Sequence, residues 1–319
     1  MYKVVIYGLG QRFQERKDEL YLYYDVIGLS DRNPERYPSA EKYVSPENIK
    51  RLEYDYVIVT PASYRDICIE LTQQHNIPGN KIMLLKDYLM TPGSSLAGSR
   101  YSEAEEDLYI NNIIYALGLA YEDIHYIDVG IENPVFYDNT YSLYRRGGTG
   151  LLVEADPNPI SFIKAMRPSD RVINKAVYEK SGEKIDFYIC KDIPALSSLD
   201  SAHADAWDEA KESEREKITV ETICMNDLFE SLGADCDVLS IDIEGYDYKA
   251  LQSIDFEKNR PKIIIVEMLD SIRCRSENEQ ILNLMKENNY IFFSKTRPNG
   301  IFIDSKYEDS LHGLYGTKL

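Results

Sequence analysis

Two carboxylic acids follow an apolar segment in the C-terminal half of the chain. In LSIDIEGYDYKAL, residues 239–251, an apolar run leads into Asp242 and Glu244, and then into Gly245 and a helix-like stretch. Ligands of open α/β sheets bind at the carboxyl ends of strands, so both acids are candidates for chemistry. Residues two apart in an extended segment point the same way, and both could therefore face one pocket. In the alternative interpretation, one acid caps the helix and the other is solvated.

Two further acids end earlier apolar segments. Asp128 lies in YIDVG, residues 126–130, where Gly130 lets the backbone turn tightly against a ligand. Glu154 lies in LLVEADPNP, residues 151–159. An acid at the end of a second strand is well placed to accept the ribose hydroxyls of an adenosine-containing cofactor. Each motif is weak by itself, but together with IDIEG the series indicates a cofactor site.

The elements that must position these acids alternate between strands and helices. The first 90 residues predict strands at 3–7, 24–29, 54–59 and 82–85. A second series predicts strands at 125–129, 151–154, 172–177, 185–189, 218–222, 238–241 and 263–267, and then a hairpin of 290–293 and 301–303 with its turn at Asn299-Gly300. Alternation of strands with helices implies parallel sheets.

The two series predict two domains. Residues 1–92 form a smaller Rossmann-like domain, 93–101 a linker rich in Gly, Pro and Ser, and 102–319 the larger domain. A highly charged segment at 200–217, which contains Trp207, is either a solvated loop or a lid.

The first domain carries an incomplete glycine fingerprint. Gly8-Leu9-Gly10 follows the first strand, but Phe13 stands where a third glycine is expected, and Asp31 follows the second strand. A lone fingerprint of this kind is weak. The domain either binds a nucleotide or nucleotide-sugar or is a structural domain without a ligand.

Composition excludes some classes of function. The 319 residues carry a net charge of −18, which argues against nucleic acid as a partner but leaves room for one phosphorylated small molecule. No apolar run is long enough to span a bilayer. The N-terminal residues lack the features of a signal peptide, so we expect a cytoplasmic protein. The five scattered cysteines indicate neither a disulfide framework nor a zinc site.

Residues from about 124 to 270 resemble the FkbM family of S-adenosylmethionine-dependent methyltransferases. The matching motifs are YIDVG (126–130), NTYSLYRRGGTGLLVEADPNP (139–159), NKAV (174–177), SSL (197–199), SIDIEGYDYKAL (240–251) and IIIVE (263–267). The resemblance implies an α/β fold of the class I methyltransferase type, with a seven-stranded, mostly parallel sheet and a C-terminal antiparallel hairpin. It also implies that S-adenosyl-L-methionine binds over the first two strands.

The resemblance assigns roles by motif position. Asp128 and Gly130 would border the methionine part of the cofactor, Glu154 would hold its ribose, and Ser198 and Asp242 would lie near the reacting centre. The sequence departs from many methyltransferases in DVGIENPVFYDN, where Pro134 stands in place of a further glycine in the first loop.

The expected reaction is O-methyl transfer to a sugar hydroxyl. The acceptor would be a nucleotide-activated sugar or a glycan precursor of a surface polysaccharide, as the resemblance implies. A base must remove the hydroxyl proton. The candidates are Asp242 first, and then Glu244 and Glu267. Neighbouring carboxylates raise one another's pKa, which would suit a base, or they bind a divalent cation. A divalent metal is therefore possible but not predicted, because the sequence does not separate these options. The sequence also leaves a homo-oligomer open.

Two alternative functions remain at this point. The first domain could make the protein a nicotinamide-dependent sugar oxidoreductase or epimerase, although the missing third glycine counts against this. A non-catalytic binding or scaffold protein is the other alternative. The intact set of Asp128, Glu154, Asp242 and Glu244 argues against it.

Overall fold

The computed structural model describes residues 1–33, 35, 41–85, 101–200, 214–271 and 274–315, the last four of these by backbone alone. These residues divide into two compact units. One holds the described part of Met1–Gly98 together with Ser161–Pro168, and the other the described part of Ser99–Ile160 and Ser169–Leu319. Nearly all of the predicted linker at 93–101 and of the charged segment at 200–217, including Trp207, falls outside the described residues.

The first unit contains a four-stranded parallel sheet in the order β2-β1-β3-β4. Its strands and helices are β1 (Lys3–Tyr7), α1 (Gln11–Tyr23), β2 (Asp25–Ser30), β3 (Tyr56–Val59), α2 (Tyr64–Gln73) and β4 (Ile82–Leu84). Val4, Ile6 and Leu20 are fully buried in its core. The parallel α/β arrangement that the sequence predicts for this region is confirmed.

The remaining elements belong to the second unit, except that α5 groups with the first unit from Ser161 onward. The strands are β5 (His125–Val129), β6 (Thr149–Val153), β7 (Arg171–Ile173), β8 (Ala176–Val177), β9 (Lys184–Cys190), β10 (Arg215–Ile223), β11 (Val238–Ile241), β12 (Ile263–Glu267), β13 (Tyr290–Lys295) and β14 (Asn299–Asp304). The α-helices are α3 (Glu106–Ala116), α4 (Tyr141–Tyr144), α5 (Ile160–Met166), α6 (Met225–Leu232), α7 (Asp247–Gln252), α8 (Arg275–Glu287) and α9 (Glu308–Tyr315).

Seven of these strands form the main sheet, in the order β7-β6-β5-β11-β12-β14-β13. β14 runs antiparallel to both of its neighbours, and the other neighbouring pairs are parallel. The predicted seven-stranded, mostly parallel sheet with an antiparallel C-terminal hairpin is therefore confirmed. The strand order reverses between β5 and β11, and ligands of such sheets bind in the crevice at this reversal.

Two details of the sequence prediction are wrong. The strand expected at 172–177 is two short strands in different sheets, because the chain turns at Asn174, whose side-chain amide donates to the Glu154 carbonyl at 2.8 Å. β8 instead joins β9 and β10 in a separate sheet of order β8-β10-β9. Asn299 and Gly300 lie in β14 and not in the hairpin turn, because Asn299 pairs with Glu267 of β12.

The core of the second unit packs helices against the main sheet. Leu228 of α6, Leu251 of α7 and Met285 of α8 are buried in one cluster with strand residues such as Ile127 and Leu239. No helix within the described residues is long and apolar enough to cross a membrane.

The carboxyl ends of β5 and β11 approach each other through their backbones. The Asp242 amide, after β11, donates to the Val129 carbonyl of β5 at 3.0 Å. On the other side of β5, the Gly130 amide donates to the Val153 carbonyl of β6 at 2.9 Å. Gly130 has a φ of +91°, and a Cβ on it would lie 1.7 Å from the Asp242 carbonyl oxygen. The glycine is needed for a close approach between two strands of the protein itself.

We expect Gly130→Ala to lower the free energy of unfolding by about 3 kcal/mol or more, because it adds a steric clash to a left-handed backbone. Gly182→Ala is the matched control, since Gly182 has a φ of +80° and nothing within 4 Å of an added Cβ. It should cost only the backbone contribution, about 1 kcal/mol. Urea unfolding of both variants makes the comparison, and equal losses would contradict the clash.

Candidate active site

The carboxyl ends of four neighbouring strands bring most of the predicted site residues to one edge of the main sheet. Asp128 lies in β5 and Glu267 ends β12, while Glu154 and Asp242 directly follow β6 and β11. All of them line one of two adjoining cavities. We call these the inner cavity, lined by Glu154, and the outer cleft, lined by Asp128 and Glu267. Asp242 lines both.

The inner cavity is narrow and largely apolar. It encloses about 60 Å³. Val177, Phe187 and Leu199 contribute apolar side chains to its wall, and Glu154 contributes a carboxyl group. A cavity that combines this apolar wall with an acid after the second strand of the main sheet suits a flat heterocycle attached to a ribose.

Burial dominates the electrostatics of Glu154. Its side chain is 8% exposed, and this desolvation raises its pKa from 4.5 to about 8. The nearby acids Asp156 and Glu132 also raise this pKa, whereas a hydrogen bond from the Asp156 amide to Glu154 Oε1, at 2.6 Å, acts in the opposite direction. The carboxyl group is therefore held in a defined position and keeps its proton near neutral pH.

Side-chain hydrogen bonds replace the additional glycine in the loop after β5. Asn133 Oδ1 accepts the amides of Val135 and Phe136, each at 3.1 Å. The Thr140 hydroxyl donates to Asp128 Oδ2 at 2.7 Å and so fixes the buried carboxylate. Where many methyltransferases have a further glycine, this loop is stabilised by side-chain hydrogen bonds.

Three carboxylates converge where β11 and β12 end. Asp242, Glu244 and Glu267 each offer an oxygen, and these atoms all lie within 4.8 Å of one another. We call them the acid cluster. Burial, and then the negative charge of Glu244, raises the pKa of Asp242 well above its ordinary value. Burial and the charge of Asp242 do the same to the pKa of Glu267. The cluster therefore holds a proton, or another cation, that a solvent-exposed set of acids would not.

Glu244 is held in a strained backbone conformation. Its φ is +51°, in the left-handed region that costs a non-glycine residue on the order of 1–2 kcal/mol. The Asp247 carboxylate accepts the amides on either side of it, from Ile243 at 3.0 Å and from Gly245 at 3.1 Å. Sequence reasoning assigned Asp247 no role. Its place three residues after Glu244, at the start of a helix, was the available signal.

Ser198 supports the acid cluster from outside both cavities. Its hydroxyl donates to the Glu244 carbonyl at 2.8 Å and accepts the Asp200 amide at 3.1 Å. Ser198 is buried and lines neither cavity, whereas Ser197 and Leu199 on either side of it line the inner one. Ser198, which the sequence predicts as a cofactor-binding residue, therefore contacts Glu244 and lines neither cavity.

The outer cleft is large and strongly acidic. It encloses about 670 Å³. The acidic and basic residues among those that line it are Glu103, Asp128, Glu132, Asp138, Asp242, Glu244, Glu267, Asp270 and Arg297. Sequence reasoning missed Glu103, Arg297 and Asn299, because they come from segments distant in the chain. Such a cleft favours neutral or positively charged ligands and repels anions.

The comparison with known families decides the assignment. Residues 128–292, more than half of the chain, match the sequence model of the methyltransferase FkbM domain. The chain belongs to the FkbM methyltransferase family. The resemblance found in the sequence motifs is confirmed, and every residue of the acid cluster lies within the matched FkbM domain. No curated protein matches the chain.

The first unit is similar to a different family. Residues 1–83, ahead of the FkbM domain, match the family described as C2185-like, N-terminal. One backbone amide of the glycine fingerprint in this unit already has a hydrogen-bond partner, because the Leu9 amide donates to Asp31 Oδ2 at 2.8 Å. Asp31 thus occupies an amide that a phosphate would need. This hydrogen bond favours the structural interpretation of the unit over nucleotide binding.

The raised pKa of Glu154 predicts a pH dependence of stability. The folded state keeps a proton up to about pH 8 that the unfolded state loses near pH 4.5, so stability falls as the pH rises between these values. Glu154→Gln mimics the neutral form. The variant should therefore be more stable relative to the wild type at pH 8 than at pH 5, by roughly 2–4 kcal/mol, at about 1.4 kcal/mol for each pKa unit.

Urea unfolding of the ligand-free protein at both pH values measures this difference. Glu122→Gln makes the same chemical change at an exposed position and serves as the control. A pH-independent difference for Glu154→Gln would contradict the buried, proton-holding carboxyl group.

Proposed function

We propose that the protein is an S-adenosylmethionine-dependent O-methyltransferase that methylates a sugar hydroxyl. The observation that carries the proposal is the shared wall of the two cavities. Asp242 and Glu244 line both the apolar inner cavity and the polar outer cleft. A methyl donor in one and an alcohol in the other would meet at these carboxylates.

The inner cavity offers groups suited to S-adenosylmethionine. Glu154 is placed to accept hydrogen bonds from ribose hydroxyls, and the apolar wall suits adenine. Because the cavity is narrow, we expect the wall to move apart when adenosine enters. When bound, this cofactor supplies a methyl group on a positively charged sulfur, which keeps the electron pair of the broken sulfur–carbon bond. The acids at the shared wall favour that positive charge.

The acid cluster supplies the proton acceptor. A hydroxyl is a weak nucleophile, and its proton must leave as the new carbon–oxygen bond forms. Asp242 is the best-placed acceptor, since it lines both cavities and its pKa is raised. Glu267 shares the proton with it, because burial and the charge of Asp242 raise the pKa of Glu267 as well.

The charge of the outer cleft bears on the acceptor. Asn133 and Asn139 bring side-chain amides, which hydrogen-bond sugar hydroxyls, to its lining. The surrounding acids outnumber Arg297, so the diphosphate of a nucleotide-activated sugar is disfavoured inside the cleft unless a cation offsets it. We therefore favour the uncharged part of a glycan precursor of a surface polysaccharide, assembled in the cytoplasm. A panel of sugars, nucleotide-sugars and glycans with labelled S-adenosylmethionine tests this choice.

Thermal shift with S-adenosylhomocysteine tests the cofactor assignment. A ligand that binds the folded state raises its apparent stability, by about 2.7 kcal/mol at a concentration 100 times the Kd. We expect a clear shift for the wild type that is lost in Glu154→Ala. Asp270→Ala, which removes an acid from the outer cleft alone, should keep the shift. The absence of any shift at millimolar ligand would overturn the cofactor assignment.

Asp242→Asn separates binding from chemistry. It preserves the shape of the side chain but removes the proton acceptor, so we expect turnover to fall by about 10²–10⁴-fold. S-adenosylhomocysteine binding should be retained in the same variant. Single-turnover methyl transfer and thermal shift are the two measurements, and unchanged turnover would remove Asp242 from the role of base.

A further inference from the structure

We propose that Asp242, Glu244 and Glu267 bind one divalent cation, with the side-chain carbonyl oxygen of Asn299 as a fourth ligand. The site rests on the proposed function only for its role in catalysis. The binding itself can be tested without any methyl transfer.

The spacing of the acid cluster fits one ion. Its three carboxylate oxygens all lie within 4.8 Å of one another. Two ligands of the same ion can be no further apart than twice the metal–oxygen distance, which is about 4.2 Å for Mg²⁺ and about 4.6–5.2 Å for Ca²⁺. Three oxygens no more than 4.8 Å apart all lie within about 2.8 Å of a common centre, so Ca²⁺ requires inward side-chain movements of at most about half an ångström and Mg²⁺ of about 0.7 Å.

An independent observation comes from the opposite strand. Asn299 is 3% exposed, lines the outer cleft and pairs directly with Glu267 across β12 and β14. Its amide nitrogen donates to Glu106 Oε1 at 3.1 Å, which fixes the orientation of the amide group. Its side-chain carbonyl oxygen, Oδ1, is buried and has no hydrogen-bond partner among the described residues.

Such an unpaired oxygen is costly. A buried acceptor without a partner costs about 1–3 kcal/mol, so native structures usually supply one. Residues on opposite strands that face each other place their side chains on the same face of the sheet, and Asn299 is therefore on the same face as Glu267. A cation between them would satisfy this oxygen and the acids together.

The charges around the cluster also call for a cation. Within the described residues, no ion pair joins Asp242 or Glu267 to a lysine or arginine. Asp270, an acid of the same cleft, differs in this respect, because Lys295 lies 2.9 Å from it. Buried like charges repel strongly unless a positive charge offsets them.

The ligand chemistry selects the kind of ion. Carboxylate and amide oxygens are hard ligands that favour Mg²⁺, Mn²⁺ or Ca²⁺. Zinc sites rely instead on histidine and cysteine, and the cluster contains neither. We therefore expect one of the three oxygen-preferring ions.

The position of the ion gives it a role in the proposed reaction. Asp242 lines both cavities, so an ion on it lies at the boundary between the methyl donor and the acceptor. An acceptor hydroxyl that completes its coordination becomes more acidic. One oxygen of Asp242 can then bind the ion while the other accepts the proton. The double positive charge of the ion also reduces the repulsion that the cleft exerts on an anionic acceptor.

Titration with Mn²⁺ tests the site directly. The full-length protein, freed of metal by a chelator, is titrated with Mn²⁺ while the electron paramagnetic resonance signal of the free ion is recorded. We expect one site per chain that Mg²⁺ or Ca²⁺ can empty. Glu267→Gln should weaken it by about 100-fold, and Asn299→Leu by about 10-fold. Asp270→Asn, which changes an acid of the same cleft outside the cluster, should leave it unchanged.

Three other outcomes of the titration overturn the proposal. These outcomes are no binding at millimolar Mn²⁺, binding that Glu267→Gln leaves intact, or equal weakening by Asp270→Asn. S-adenosylhomocysteine binding confirms that each variant is folded, and Glu244→Gln replaces any variant that is not. Methyl transfer that persists in excess chelator removes the ion from catalysis and leaves the proposed function standing. Specific Mn²⁺ binding by a protein that methylates no sugar has the opposite meaning, because it supports the site and overturns the function.

Discussion

The site depends on the close approach of the Gly130 backbone to the carbonyl oxygen of Asp242. This contact joins the carboxyl ends of β5 and β11, where the strand order of the main sheet reverses. It excludes any side chain at residue 130 and fixes where Asp242 leaves its strand. The two cavities meet at this point, so the geometry of the proposed cofactor and acceptor sites follows from a backbone contact that carries no chemistry itself.

A second constraint is electrostatic. The sheet places acids from several strand ends around one cleft, and burial deprives their charges of stabilisation by water. A protein tolerates such a concentration of negative charge when it serves binding or chemistry. Here the positive charge of a sulfonium cofactor, a shared proton and a divalent cation would each offset it. Glu244 has a strained, left-handed backbone in this arrangement, and hydrogen bonds with the side chains of Asp247 and Ser198 hold that backbone in place.

The two units differ in how their strand-end residues are used. In the FkbM domain, the strand-end acids line cavities. In the first unit, Asp31 is turned inward onto the Leu9 amide, and a Cβ on Gly8 would lie 2.5 Å from Pro61. The same pattern of strand, glycine and acid thus forms a candidate site in one unit and an internal brace in the other.

The sequence by itself determined the strands, the sheet class and the family, because apolar runs and strand-end acids are local signals that each segment carries alone. It also singled out Asp128, Glu154, Asp242 and Glu267, which the fold brings to one edge. Only the tertiary structure decided the division of 172–177 between two sheets, the bracing roles of Ser198 and Asp247, and the contribution of Glu103 and Asn299. These depend on hydrogen bonds and strand pairings between segments far apart in the chain, and no local pattern encodes such partners.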